Sequence, residues 1–276
     1  MTMARRGIST RPVAMIGGVW HHRYLVGQLA RREVLGRYRG SVIGLAWSFL
    51  NPLLMLAVYT VFFSVAFKAR WGGATVAQGD FAIVLFAGLI VHGIFAESVT
   101  RAPALMTQHI NFVKKVVFPL EILPCVSVVA SLFHAGISLF ILLAAQLVLQ
   151  HTLVWTAVFF PLVIAPFVLL LVGVSWMLAA IGVYVRDIVH VMGVFTSVML
   201  FLSPVFYPVA SLPEALQPWI MLNPLTFVIE QVRAVVLLGQ LPDWQGLAVY
   251  AGVSAVVAWC GFFVFQTMRR GFADVL

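Results

Sequence analysis

Apolar and polar positions divide this chain into long uncharged runs separated by short polar stretches. The runs at 41–67, 81–100, 122–149, 153–185, 188–207 and 246–268 each supply the roughly 20 residues that a helix needs to cross a bilayer core. They predict six spanning helices. A seventh apolar stretch, 219–238, contains Asn223, Pro224, Glu230, Gln231 and Arg233. It is too polar to face lipid, and short re-entrant or interfacial helices buried against protein suit it better. Residues 20–40, ahead of the first run, read as a helix with Trp20, Tyr24, Val34, Leu35 and Tyr38 on one stripe. Arg31 interrupts that stripe, and Arg23, Arg32, Arg37 and Arg39 lie off it. Aromatic residues flanked by arginines suit a helix lying in the cytoplasmic interface. A plain basic anchor beside the membrane uses the same electrostatics and stays open as the alternative.

Composition agrees with this pattern. Of 276 residues, 62% are hydrophobic and 9% charged, and the mean hydropathy is +1.04. Soluble domains carry about 25% charged residues, and a chain of this length has no core large enough to hide so much apolar surface from water. The fold class expected is therefore an all-α integral membrane protein. The first 30 residues hold four arginines but no compact apolar core before a small-residue cleavage site, so a removable signal is not expected.

Charge then orients the chain. With six spans both termini share one side. Fourteen of the 17 Lys and Arg residues fall on that side, leaving Lys68, Arg70 and Arg233 on the other. Lys and Arg accumulate in cytoplasmic loops, so both termini are expected in the cytoplasm. The sequence pI near 10.1 then marks a membrane surface. No basic domain stands clear of the bilayer to bind nucleic acid.

The chain carries little chemistry of its own. None of Lys68, Lys114 and Lys115 ends a Gly-rich phosphate loop. No His, Cys, Asp and Glu set has metal-ligand spacing. Cys125 and Cys260 fall within predicted spans and read as small apolar fillers. Glu97 and Glu121 read as solvated helix ends, and His92 and His134 as hydrogen-bonded packing residues rather than proton carriers.

Three stretches remain: "RREVLGRYRGSVIGLAWSFLNPLL" from Arg31, "KKVVFPLEILP" from Lys114, and "VRDIVHVMGVFTSVMLFLSPVFYPVASLP" from Val185, the last followed by "NPLTFVIEQVR" from Asn223. Their order and spacing over residues 20–268 resemble the membrane subunits of polysaccharide-exporting ABC transporters, the Wzm-like permeases. One departure is Leu120, where many relatives have a basic residue.

The resemblance implies a permease subunit rather than an enzyme. It would export a lipid-linked polysaccharide such as O-antigen or capsule from cytoplasm to periplasm across a bacterial inner membrane. It implies a homodimer with two copies of a cytoplasmic ATPase, an undecaprenyl-type glycan carrier, and ATP and Mg on the partner, with no cofactor in this chain. Residues 1–40 would hold the interface helix, 41–268 the transmembrane domain and 269–276 a cytoplasmic tail. Within these, 101–118 would couple to the ATPase and 209–240 would form a periplasmic gate between spans five and six.

Residue roles follow from the same motifs. Arg101, Lys114, Lys115, Phe118, Pro119, Glu121, Arg186 and Asp187 would meet the ATPase. Pro119 and Pro124 break helix before the third span. Arg186 and Asp187 would pair and cap the next helix. Arg31, Arg32, Arg37, Tyr38 and Arg39 would form the substrate entrance, where anchoring and the steering of a pyrophosphate are both open. Pro204, Pro208, Asn223, Pro224, Glu230 and Arg233 would build the gate, with Glu230 and Arg233 spaced to pair on one helical face. A sugar path needs aromatic faces, for which Trp47, Tyr59, Phe63, Phe195, Phe201, Phe206 and Tyr207 are candidates; taken singly, each is better accounted for by ordinary packing against lipid or core. The alternatives are a secondary carrier, which would show internal repeats and midplane charges, and a membrane-embedded glycosyltransferase, which would need a carboxylate constellation.

Overall fold

The computed structural model describes residues 12–62, 80–114 and 118–276, and the regular structure among them is helical. Phe63 and Lys115 lie outside the described residues. The chain runs through α1 (Pro12–His21), α2 (Arg23–Arg37), α3 (Trp47–Tyr59), α4 (Asp80–Arg101), α5 (Leu105–Gln108), α6 (Ile110–Lys114) and α7 (Ile122–Gln150). It continues through α8 (Phe160–Tyr184), α9 (Ile188–Leu202), α10 (Gln217–Met221), α11 (Pro224–Val236), α12 (Trp244–Met268) and α13 (Phe272–Val275).

Among the described residues, five helical stretches are long and apolar enough to cross a membrane: Gly44–Phe62, Phe81–Gln108, Ile122–Gln150, Trp155–Tyr184 and Trp244–Val275. The protein is thus a multi-pass membrane protein. The run at 188–207 does not supply a sixth of that length. Its helix stops at Leu202 after 15 residues, about 22 Å at 1.5 Å per residue against a core of about 30 Å. Pro204 is the cause, because the residue before a proline is pushed from helix; Ser203 is extended at φ −98°, ψ 151°.

The fold is centred on α4, which touches α3, α7, α8, α9 and α11. Phe86, Ile90, Ile94 and Val99 of α4 are buried in the main apolar cluster. The α8–α12 pair packs at backbone distance. A Cβ on Gly261 would lie 2.0 Å from the Gly173 carbonyl oxygen, and one on Gly173 would lie 2.5 Å from Ala258 Cα. Small residues permit this approach, which drives helix association where lipid is as apolar as the side chains.

The N-terminal region differs from a single helix with an aromatic stripe. It breaks at His22 into α1 and α2. Trp20 and Tyr24 are 68% and 77% exposed, whereas Val26, Ala30 and Val34, spaced by four, form the buried face of α2. Small aliphatic side chains let α2 lie close along α7, and the aromatics stay outside. Pro124 also departs from expectation. It sits in the first turn of α7, where its missing N–H would have had no partner anyway.

Candidate functional site

One end of the bundle collects the residues that the motifs singled out around 101–121 and 186–187. Arg269, just after α12, donates to Glu121 Oε2 at 2.7 Å and to the Phe118 carbonyl at 3.3 Å. Trp176 Nε1 donates to the Glu121 carbonyl at 2.7 Å. The Phe118 ring stacks on Phe112 at 4.5 Å, and Phe112 on His109 at 5.7 Å. The segment after α4 is therefore braced by α8 and α12 instead of hanging as a free loop. Leu120 is buried in a second apolar cluster, so no charge is needed there. Glu121 is a paired helix end, not a solvated one.

Lys114 remains exposed, as do Arg186 and Asp187. These last two do not form the expected pair: among the described residues no ion pair joins them, and Asp187 makes no side-chain cap to α9. Both side chains are left facing solvent in the turn. A notch of about 310 Å³ lies between Pro103, Thr107, Ile110 and Arg186. It joins the segment after α4 to the α8–α9 turn, so two motifs far apart in sequence share one face. Gly182 is required beside it, since a Cβ there would lie 2.1 Å from the Pro103 carbonyl oxygen.

The arginines before the first span do not form one cluster. Arg31, Arg32 and Arg39 are exposed. Arg37 is exposed as well, but its guanidinium bridges to α4 and α7, with Nη2 on Glu97 Oε1 and Nη1 3.2 Å from His134 Nδ1. Tyr38 Oη lies 3.2 Å from His134 Nε2, and burial raises its phenol pKa above the ordinary value. Glu97 also contacts His134 at 3.3 Å and Arg101 at 3.4 Å, and Arg101 contacts Glu33 at 2.6 Å. Glu97, with a side chain only 19% exposed, is therefore the hub that ties α2 to α4 and α7. The i,i+4 spacing of Glu97 and Arg101 was visible in the sequence, but the distant partners Arg37 and His134 were not. His92 matches its expectation and contacts the Thr196 carbonyl at 3.0 Å.

At the opposite end the stretch 203–236 folds inward. Asn223 caps α11 by accepting from Leu225 N at 2.9 Å, and its amide nitrogen donates to the Leu202 carbonyl at 3.2 Å. Tyr250, six residues into α12, donates to the Pro224 carbonyl at 3.0 Å and stacks on Phe227. The start of α11 thus lies about 9 Å along α12 from its beginning. Leu225, Val228, Ile229 and Val232 of α11 are fully buried, as a segment too polar for lipid requires.

Arg233 organises this end. It pairs with Glu230 at 3.3 Å as the spacing predicted. It also donates Nη1 to the Pro204 carbonyl at 2.6 Å, Nη2 to Val205 at 2.8 Å and Nε to Val84 at 3.2 Å. Pro204 and Val205 are buried where the proline-broken chain leaves carbonyls without helical partners, so the guanidinium replaces those bonds. Pro208 is extended at φ −76°, ψ 145° and continues the break.

The candidate path aromatics divide into two groups. Phe201 stacks on Phe206 at 5.5 Å, Tyr207 donates to the Phe201 carbonyl at 3.0 Å, and Phe195 lies 6.1 Å from Phe95. These four belong to α9 and the chain just after it, and Phe201 is 67% exposed. Trp47 and Tyr59 belong to α3, where Trp47 Nε1 donates to Ser41 Oγ at 3.1 Å and Tyr59 packs on the main core.

Comparison with known proteins identifies the scaffold. Residues 24–237 match the family described as ABC-2 type transporter. The O-antigen export system permease protein RfbA of Myxococcus xanthus is 29% identical over 264 residues, covering 95% of this chain and 99% of that protein. An O-antigen export system permease protein RfbA of Klebsiella pneumoniae is 23% identical, covering 90% and 93%. The polysialic acid transport protein KpsM of Escherichia coli is 20% identical, covering 97% and 98%. With its membrane helices and a family match over most of its length, the chain belongs to the ABC-2 type transporter membrane subunits.

Proposed function

We propose that this chain is the permease of an ATP-driven exporter that moves a lipid-linked polysaccharide from cytoplasm to periplasm. Its end-to-end similarity to export permeases carries the reading. A homodimer works with two copies of a separate ATPase, which binds ATP and Mg. In this reading α9 with its inward-folded neighbour α11 counts as the sixth membrane element, so both termini lie in the cytoplasm of a bacterial cell. The braced end with Lys114, Arg186 and the 310 Å³ notch receives the ATPase. A rigid brace supports the role, since motion of the partner must reach the helices without being absorbed by a slack loop.

The conduit forms between two protomers. Two observations support this. Helix α3 buries only Ser48 and Leu56 against its own chain, and α9 buries only Thr196. Both leave apolar faces for a second copy or for lipid. Phe195, Phe201, Phe206 and Tyr207 offer ring faces to sugar C–H groups along one wall. Residues 203–236, held by Arg233, form the periplasmic gate.

Three experiments test these assignments. Charge reversal at Lys114 with Lys115 should cut co-purification of the ATPase, or uncouple hydrolysis from export, by tenfold or so, since like charge at an interface costs on the order of a kcal/mol or more. Normal assembly with normal export would remove this face from the coupling role. At the entrance, Arg37 uses its fork on Glu97 and His134, whereas no ion pair holds Arg39 among the described residues. Arg37→Lys should therefore lower export several-fold through the loss of about 1–2 kcal/mol in the bonds that hold α2. Arg39→Lys keeps the charge that anionic headgroups feel and should export normally. Poor export by Arg39→Lys with normal insertion would instead assign that side chain to a phosphate of the substrate. Cysteine labelling at Trp219, which is exposed on α10, should succeed only from the periplasmic side.

A further inference from the structure

A second cavity lies where α2 meets the segment after α4 and the start of α7. Its volume is about 290 Å³, near the lower limit of about 300 Å³ for small-ligand sites. Helix α2 forms one wall, the segment from Arg101 to Phe112 another, and the first turns of α7 the floor. Its polar groups are Arg32, Glu33, Arg101, Gln108 and His109, above apolar side chains that include Leu105, Phe112 and Leu123.

The charges of this cavity do not cancel. Glu33 lies 2.6 Å from Arg101 and neutralises it. Arg32 has no carboxylate at ion-pair distance among the described residues. His109 commits Nδ1 to the Leu105 carbonyl at 2.9 Å, and a carbonyl can only accept, so Nε2 is its remaining nitrogen. The cavity therefore holds one uncompensated positive charge, an amide and an imidazole nitrogen over an apolar floor. It lies at the basic end, where a membrane surface would meet water, and the exposed Trp20 and Tyr24 lead into α2.

We propose that this cavity binds the phosphodiester headgroup of a membrane phospholipid, separately from the transported glycolipid. The monoanion matches the single net charge, and the glycerol and first acyl carbons match the apolar floor. A pyrophosphate carries more negative charge than the lining offsets. Basic pockets between membrane helices on the cytoplasmic side commonly hold lipid headgroups. The bound lipid would wedge α2 against the segment after Arg101 and so set the position of the interface helix relative to the face that meets the ATPase. This last consequence rests on the coupling role proposed above; the binding itself does not.

The test uses the full-length protein in phosphatidylcholine nanodiscs doped with phosphatidylglycerol, with the retained phosphatidylglycerol counted by native mass spectrometry. Arg32→Gln should lower retention about tenfold, the loss of about 1.4 kcal/mol. Gln108→Trp, which fills the cavity from an exposed position, should lower it as well. Arg31→Gln removes an equal charge one residue outside the cavity and should leave retention unchanged. Equal loss from Arg31→Gln and Arg32→Gln would reduce the effect to general surface attraction and overturn the site. Displacement of the lipid by excess glycerol phosphate would show a soluble phosphate ester site and overturn the lipid assignment. Displacement by a polyprenyl pyrophosphate at lower concentration than by phosphatidylglycerol would make this a substrate site and overturn its independence. Thermal unfolding of each variant, unchanged from wild type, excludes misfolding as the cause.

Discussion

Replacing Gly261 with leucine should prevent the protein from accumulating in a folded, membrane-inserted form. A Cβ at this position would lie 2.0 Å from the Gly173 carbonyl oxygen and 2.7 Å from its carbon. These are backbone atoms, so no rotamer change relieves the clash; α8 and α12 must separate along their shared length. Overpacking a core costs about 1–3 kcal/mol when side chains alone must adjust, and moving two backbones costs more. Lipid supplies no compensating hydrophobic pressure to hold the pair together. Gly252, on the same helix, has nothing within 4 Å of its Cβ position, so Gly252→Leu should behave as wild type. Size-exclusion profiles and thermal unfolding of the two variants in detergent provide the measurement. Matching profiles would show that the close approach of α8 and α12 is not needed for folding.

Arg233→Ala should have the second large effect. Two buried carbonyls outside regular helix, on Pro204 and Val205, would lose their donor, and the Val84 carbonyl inside α4 would lose a contact added to its helical one. An orphaned buried acceptor costs about 1–3 kcal/mol, so the variant should lose several kcal/mol of local stability around residues 203–236. Only one of these bonds reaches a long helix, at Val84 of α4, and insertion should persist. Export should fall by more than tenfold, or ions should leak. Arg233→Lys retains the charge, but its donors all sit on one nitrogen and cannot span carbonyls that Nε, Nη1 and Nη2 reach separately, so it should resemble the alanine variant. Glu230 is partly solvated, with a side chain 40% exposed. Glu230→Gln should cost less than about 1 kcal/mol, as solvated pairs generally do. Equal defects in Arg233→Ala and Glu230→Gln would assign the importance to the ion pair instead of the carbonyl contacts.

The reason for that difference also explains what the sequence made legible. Spacing exposes contacts within one helix, so the Glu230–Arg233 pair was readable from a three-residue separation. The carbonyls that Arg233 holds come from chain positions as far off as Val84, and no local pattern encodes them. Glu97 misled for the same reason: its position near a helix end suggested water, while Arg37 and His134 arrive from other elements. The long apolar runs were legible because lipid selects composition directly. The length of α9 was less so, since hydropathy continues through Phe206 while Pro204 has already ended the helix. In α2 the large aromatics drew attention to the wrong face, because close packing against α7 favours Val26, Ala30 and Val34. Arg186 and Asp187 are adjacent in sequence, but neighbouring residues in a turn need not face each other. The family was legible through motif order, while the division of Trp47 and Tyr59 from the aromatics of α9 required the fold.

Location of the polymer distinguishes an ATP-driven export permease from any other membrane role. In cells that lack this chain, the lipid-linked polysaccharide should disappear from the cell surface and accumulate on the cytoplasmic face of the inner membrane. The wild-type chain should restore export only together with a catalytically intact ATPase partner. Undiminished surface polysaccharide in the deletion strain, or restoration alongside an ATPase unable to hydrolyse ATP, would contradict the assignment as an ATP-driven export permease.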